Sequence, residues 1–126
     1  MSITVCTGKL HRVHVTAARL DYEGSVTIDS ALMAAAGIVP FQLVHINSMA
    51  TAAHWETYAI PGAPGKGQLQ LNGCPARLFH PGDQVIILSL DHVERSEAAG
   101  LRQKVVHVDA SNRIARVEVK RPPARR

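Results

Sequence analysis

The Gly24-Ser25 peptide bond places a serine hydroxyl beside a peptide carbonyl, between two short stretches of β-strand character. A serine can attack the carbonyl carbon of the residue before it and so convert the amide into an ester. This reaction is slow in a relaxed chain because the amide is planar and resonance-stabilised. A fold that strains the turn and hydrogen-bonds the carbonyl would accelerate it. Since most Gly-Ser pairs are ordinary turns, the dipeptide alone leaves both interpretations open.

The segments that would position this bond carry the signals of short strands, frequent turns and one short helix. Strand-like composition is found in residues 3–7, 10–16, 26–28, 41–47, 55–60, 69–71, 85–88, 105–108 and 114–119. Asp29 or Ser30 can cap a helix that runs through Ala36, with Gly37 as its C-terminal stop. The polar stretch 91–101 could hold another short helix. Together these signals predict a mainly β protein, a small barrel with short helices.

Length and charge indicate one folded domain followed by a basic tail. The chain has 126 residues, 46% of them hydrophobic, and a formal net charge of +4. Much of that charge belongs to Lys120, Arg121, Arg125 and Arg126, around two prolines. We therefore expect a single domain over residues 1–118 and a flexible tail over residues 119–126. Contact of this tail with nucleic acid is the alternative.

Several classes of site are not expected. Cys6 and Cys74 make no disulfide framework and no zinc-finger spacing. His11 and His14 would face opposite sides of a strand, so no metal site is expected. No signal peptide is evident, and the apolar run 31–41 is too short to span a bilayer. These observations predict a cytoplasmic protein without a membrane partner.

Four short sequence blocks, in order and nearly without gaps, resemble the pyruvoyl-dependent aspartate 1-decarboxylase family. The blocks are Gly8-Lys9-Leu10-His11-Arg12-Val13, Tyr22-Glu23-Gly24-Ser25 with Ile28-Asp29, Thr57-Tyr58-Ala59-Ile60, and Asn72-Gly73. The resemblance implies a double-psi β-barrel, assembled as a homotetramer with active sites between neighbouring subunits. It also implies a zymogen whose autocatalytic cleavage at Gly24-Ser25 gives a β-fragment, residues 1–24, and an α-fragment, residues 25–126. Whether a maturation factor assists the cleavage is left open.

The implied cofactor is a pyruvoyl group derived from Ser25, at the head of the larger fragment. Its ketone condenses with a substrate amine to form a Schiff base, which accepts electrons as CO₂ leaves. A general acid must then return a proton to carbon. The resemblance thus implies a lyase that converts L-aspartate to β-alanine, in pantothenate biosynthesis.

The same resemblance implies roles for individual residues. Tyr58 is the proton donor, and Lys9 pairs with a substrate carboxylate. Thr57 contacts the substrate and, before cleavage, helps to polarise the Gly24 carbonyl. The other substrate-binding positions that it implies are His11, Tyr22, His54, Asn72, Gly73, Cys74 and Pro75. Each of these residues alone would equally suit a structural position, so the joint pattern carries the prediction.

The chain departs from the family pattern on the substrate side. His54 stands where the family has an arginine, which clamps a carboxylate with two hydrogen bonds and a permanent charge. Asn47 stands where an aromatic residue is usual, and Pro75 offers no backbone N–H. One alternative is therefore the same pyruvoyl chemistry on a different amino acid. An alternative from another class is a non-enzymatic barrel that binds a partner through its basic tail.

Overall fold

The computed structural model describes residues 1–123, which form nine β-strands, one α-helix and two 3₁₀ helices. The strands are β1 (Ser2–His14), β2 (Ala17–Arg19), β3 (Ser25–Asp29), β4 (Leu43–Ser48), β5 (His54–Gly62), β6 (Leu69–Asn72), β7 (Gln84–Glu94), β8 (Gln103–Val108) and β9 (Ile114–Lys120). Helix α1 spans Ser30–Ala36, and the 3₁₀ helices span Cys74–Arg77 and Arg95–Gly100. Two of the four basic residues of the predicted tail, Arg125 and Arg126, lie outside the described residues.

All nine strands join one sheet in the order β2-β6-β3-β5-β4-β7-β1-β8-β9. The pairs β1–β8, β2–β6 and β3–β5 are parallel, whereas the other neighbours are antiparallel. Parallel neighbours cannot be joined by a tight hairpin, so the chain crosses over between them. The prediction of a mainly β fold, a double-psi β-barrel with short helices, is confirmed.

The core is built from aliphatic side chains on the inner face of the sheet. Alternate residues of the central strands are fully buried, among them Val26, Ile28, Val44, Ile46 and Ile87. Phe79 is the largest fully buried side chain, in keeping with an aromatic content of only 4%. Because side chains alternate along a strand, the residues between these core positions lie on the outer face. The outer face is where the chain places its polar groups.

Asp29 fixes the end of β3 and the start of α1. Its side chain accepts hydrogen bonds from the backbone N–H groups of Ala31 (2.8 Å), Gly65 (3.0 Å) and Gly67 (2.7 Å). Burial alone would raise the pKa of Asp29, but these backbone donors outweigh it and hold the pKa below the ordinary value. Gly37 ends the helix in the left-handed conformation, at φ +76°. The predicted helix and both of its ends are confirmed.

β1 and β7 are longer than the sequence predicts, and the short strand β2 was not expected. β1 is one continuous strand with bulges at Cys6/Gly8 and Leu10/Val13, where Arg12 has φ +57°. β7 extends to Glu94 because residues 91–94 pair with the first residues of β1, so only 95–100 form a 3₁₀ helix. β9 ends at Lys120, and the division into domain and tail stays a prediction.

Within residues 1–123 no helix has the length and apolarity that crossing a bilayer requires.

Candidate active site

Ser25 is anchored by Asn72, its direct partner across the β3–β6 ladder. Val26 faces the core, so Ser25 and Thr27 face outward, although Ser25 is fully buried. The side-chain amide of Asn72 donates to Ser25 Oγ over 2.9 Å and to Thr27 Oγ1 over 3.0 Å. Gln70 Nε2 donates in turn to Asn72 Oδ1 over 2.8 Å, which fixes the orientation of the amide. Asn72, on the neighbouring strand β6, therefore fixes the position of the Ser25 hydroxyl.

The Ser25 hydroxyl has a backbone acceptor rather than a catalytic base. Its Oγ donates to the carbonyl oxygen of Glu23 over 3.3 Å. Among the described residues, no carboxylate or imidazole accepts a hydrogen bond from Ser25. The hydroxyl is thus oriented within the turn that holds the Gly24-Ser25 bond.

Gly73 supports this turn by direct backbone packing. It has φ +82° and ψ −143°, and a Cβ on it would lie 3.0 Å from Gly24 Cα and 3.2 Å from the Tyr22 carbonyl oxygen. Only glycine combines this conformation with so close an approach. The Gly73 N–H donates to the Arg19 carbonyl over 2.8 Å, which closes the turn from the other side. Tyr22 is 53% exposed. Cys74 is exposed and Pro75 is buried in the 3₁₀ helix that follows.

Tyr58 and Thr57 lie on opposite faces of β5. Val26 is level with Ala59 in the parallel β3–β5 pair, so Tyr58 is level with Ser25 on the same outer face. The Tyr58 ring meets the Phe41 ring edge to face, at 5.7 Å between centroids. Thr57 turns toward the core and is 8% exposed. No hydrogen bond joins Thr57 to Gly24 in the part of the chain that the structure describes, and its polarising role stays a prediction.

Lys9 and His11 make no hydrogen bond with Ser25 within the described residues. Both lie on β1, and β5, β4 and β7 stand between β3 and β1 in the sheet. The His11 ring instead meets the His107 ring at 5.3 Å, and its buried Nδ1 has no hydrogen-bond partner among residues 1–123. Burial, together with the charges of Lys9, His107, Arg12 and Lys120, lowers the pKa of His11. A lowered pKa favours the neutral imidazole, which supplies no permanent charge.

His54 belongs to a polar cluster on the β4–β5 hairpin that the sequence analysis missed. His54 Nε2 lies 3.0 Å from Glu56 Oε2, and its Nδ1 lies 2.7 Å from Asn47 Oδ1. His45 Nε2 lies 3.3 Å from Glu56 Oε1. The hydrogen bond from His54 and the charge of His45 hold the pKa of Glu56 below its ordinary value. The signal for this cluster was the i, i+2 spacing of polar residues on both strands of a predicted hairpin.

Comparison with known proteins shows similarity over nearly the whole chain. The family model described as aspartate decarboxylase matches residues 1–115. A protein of Mycolicibacterium smegmatis named aspartate 1-decarboxylase is 46% identical over 117 residues, 93% of this chain and 86% of the relative. Proteins of the same name from Carboxydothermus hydrogenoformans and Leptospira biflexa are 44% identical over 120 residues and 47% over 114 residues. These alignments cover 95% and 90% of this chain, and 94% and 97% of the two relatives.

Proposed function

The chain belongs to the aspartate decarboxylase family, and from this premise we propose that it is a self-processing enzyme that converts L-aspartate to β-alanine and CO₂. The observation that carries the proposal is the hydrogen bond from Asn72 to a buried Ser25, beside a turn that packs on Gly73. Tyr58 stands level with this serine on the same face. β-Alanine as the product would place the enzyme in pantothenate biosynthesis. Family membership gives no support to a non-enzymatic binding module.

The first step is self-cleavage at Gly24-Ser25. Ser25 Oγ forms a bond to the Gly24 carbonyl carbon as the C–N bond breaks, and the freed nitrogen takes up the hydroxyl proton. Loss of the Ser25 α-proton then eliminates the Gly24 carboxylate, and hydrolysis with release of ammonia leaves a ketone at position 25. Asn72 contributes by holding Oγ in place, since its amide orientation is fixed by Gln70. Positioning of this kind lowers the entropic part of the barrier.

The residues around Ser25 fit a pyruvoyl group formed there. When present, the group supplies a ketone that bonds covalently to a substrate amine and accepts the electron pair released as CO₂ departs. Asn72 and Thr27 already surround the position with a donor amide and a hydroxyl. Apart from its two chain neighbours, no residue places a heavy atom within 4 Å of where a Gly24 Cβ would be, which leaves room for the two new chain ends to separate. Ser25 is fully buried before cleavage, so its hydroxyl is shielded from bulk water while the turn is intact.

Tyr58 is the residue that we assign to proton return. A phenol is a proton donor near neutral pH, and its place level with Ser25 brings the hydroxyl to the substrate side of the sheet. Phe41 packs edge to face on the ring and restricts its movement. Tyr22 and the Gly73-Cys74-Pro75 segment, at the turn that holds Ser25, are proposed to contact the substrate. The contact proposed for Thr57 stays a prediction, because its side chain turns toward the core.

Assembly with a second chain is part of the proposal. Three strands stand between β1 and β3 in the sheet order, and neither Lys9 nor His11 shares a hydrogen bond with Ser25 among the described residues. We therefore propose that a neighbouring subunit brings them to the substrate. We propose a homotetramer that pairs Lys9 of one subunit with the Ser25 region of another. The cytoplasmic location and the need for a maturation factor stay predictions.

A different amino-acid substrate is the second candidate, and the surroundings of His54 favour it. Both ring nitrogens of His54 are already in hydrogen-bond contact with Asn47 and Glu56. The Glu56 carboxylate would also repel a substrate carboxylate. The loss of a two-pronged clamp could cost ~1–3 kcal/mol of binding. Ranking kcat/KM over all twenty amino acids discriminates between the candidates, because aspartate as the clear favourite would reject altered selectivity.

Denaturing mass spectrometry tests the proposed function directly. The parent chain should separate into residues 1–24 and residues 25–126, with the larger fragment blocked to Edman chemistry. Ser25→Ala should remain one chain and form no β-alanine from aspartate. Ser2→Ala removes an exposed serine of β1 and should cleave like the parent. A parent chain that stays intact and never reacts with hydroxylamine would overturn the proposal.

A further inference from the structure

We propose that His45, His54 and Glu56 bind one divalent transition-metal ion of the zinc type, with Asn47 orienting His54. The three residues form the one group of at least three metal-ligating side chains found among residues 1–123. Their donor atoms all lie within 4.8 Å of one another. Binding at this site does not depend on the proposed decarboxylase function.

The ligand set is fixed by the register of the β4–β5 ladder. His45 lies directly opposite Glu56, and Asn47 lies directly opposite His54. Val44 and Ile46, which alternate with His45 and Asn47, are fully buried in the core. All four polar side chains therefore share the outer face, as neighbours across and along the ladder. Paired strands hold such a set more rigidly than a loop would.

The distances between donor atoms suit a single bound ion. His45 Nε2 is 3.3 Å from Glu56 Oε1, and His54 Nε2 is 3.0 Å from Glu56 Oε2. Zinc–ligand bonds of about 2.0–2.2 Å in a tetrahedral arrangement separate the ligand atoms by roughly 3.3 Å. An ion can thus replace the hydrogen shared by His54 and Glu56 and lie within reach of His45 Nε2.

Asn47 gives the cluster the outer hydrogen bond typical of metal sites. A metal-bound histidine usually donates its second ring N–H to an oxygen, which fixes the tautomer and the ring orientation. Asn47 Oδ1 lies 2.7 Å from His54 Nδ1 and can accept that hydrogen. The Nε2 atom is then the ring nitrogen whose lone pair is available to the ion.

The ligand types and their exposure indicate the class of ion. Two imidazoles and one carboxylate favour Zn²⁺, Co²⁺ or Ni²⁺ over Mg²⁺ or Ca²⁺, which prefer oxygen ligands. The side chains of His45, His54 and Glu56 are 26%, 44% and 50% exposed, so the ion can enter and its remaining positions can hold water. Tyr58 follows two residues after Glu56 on the same face, about 7 Å along the strand. The role of Tyr58 as the proton donor beside the ion rests on the proposed function. Binding of the ion by His45, His54 and Glu56 does not.

Titration of the untagged, chelator-treated full chain with Co²⁺, and separately with Zn²⁺, tests the site. We expect one equivalent of Co²⁺ per chain, visible d–d bands of a four- or five-coordinate ion, and displacement by Zn²⁺. His45→Gln and Glu56→Gln should each weaken binding by at least ~10-fold, and Asn47→Ala by ~10-fold. Thermal unfolding of the metal-free variants checks that they fold.

His80→Ala is the matched control, because His80 also faces a carboxylate, that of Asp83 at 3.7 Å, but lies outside the cluster. This variant should bind Co²⁺ like the parent. The proposal is overturned if no stoichiometric binding is found. It is equally overturned if folded His45→Gln and Glu56→Gln proteins retain the parent affinity.

Discussion

Asn72 and Ser25 face each other across the β3–β6 ladder, and the amide of Asn72 donates to the serine Oγ over 2.9 Å. The two residues are 47 positions apart in the sequence, so this contact exists only because the strands pair in this register. A hydroxyl held in this way keeps one orientation relative to its own backbone. The reactivity of the Gly24-Ser25 bond should therefore depend on a residue in a different strand.

Asn72→Ala should slow self-cleavage by about 10-fold, since loss of one orienting hydrogen bond is worth ~1.4 kcal/mol. The fraction of intact chain, followed over time by denaturing mass spectrometry, measures the effect. Gln103→Ala is the control, because it also deletes one partly buried side-chain amide bond, to the Cys6 carbonyl. Equal cleavage rates for the two variants would contradict a role for Asn72.

Gly73→Ala should impair cleavage through contact with the scissile turn. The new Cβ would lie 3.0 Å from Gly24 Cα, so the turn must shift. Gly82→Ala also places a side chain at positive φ, +93°, but meets nothing within 4 Å. We expect Gly82→Ala to cleave at the parent rate and Gly73→Ala to accumulate as intact chain. If both variants process alike, the packing of the turn on Gly73 does not matter for cleavage.

Tyr58→Phe should leave cleavage intact and lower kcat for decarboxylation by ~10²–10⁴-fold, the range typical of a lost general acid. The ring keeps its edge-to-face contact with Phe41, so the fold should be unchanged. Fragment masses and β-alanine formation, measured on the same sample, separate the two effects. Parent-like turnover in a fully cleaved variant would remove Tyr58 from the mechanism.

Asp29→Asn should destabilise the protein by ~2–3 kcal/mol at pH 7, because three backbone N–H groups lose a charged acceptor. The pKa of Asp29 is lowered on folding, so its contribution is fully present above the unfolded value of ~3.9. That contribution declines as the pH falls below this value and through the folded pKa. The difference in the free energy of unfolding between the parent and Asp29→Asn should therefore decrease in acid.

Urea unfolding of both proteins from pH 7 to pH 3, in a Ser25→Ala background, measures this gap on a single uncleaved chain. Asp21→Asn is the control, since Asp21 is exposed and accepts no side-chain hydrogen bond from the described residues. Its midpoint should match that of the parent at each pH. A difference in the free energy of unfolding between the parent and Asp29→Asn that increases in acid would contradict the prediction.

Local chemistry explains why much of the fold could be read from the sequence. Asp29 and Gly37 bound α1 through a side-chain acceptor and a left-handed backbone, which are properties of those residue types. The strands around Val26, Trp55 and Ile87 were predicted from their composition. The extension of β7 to Glu94 was not predicted, because residues 91–94 are polar and become strand only by pairing with β1. Pairing between distant segments overrides weak local preference.

The sequence by itself determined the chemistry: a serine after Gly24, a tyrosine at position 58 and an asparagine before Gly73. Only the tertiary structure decided which of these residues meet. It joins Asn72 to Ser25, turns Thr57 toward the core, and leaves Lys9 on a strand remote from the serine in the sheet. It also gathers His45, His54 and Glu56 on one face. The physical reason is strand register, since a shift of one residue would send every side chain of a strand to the opposite face.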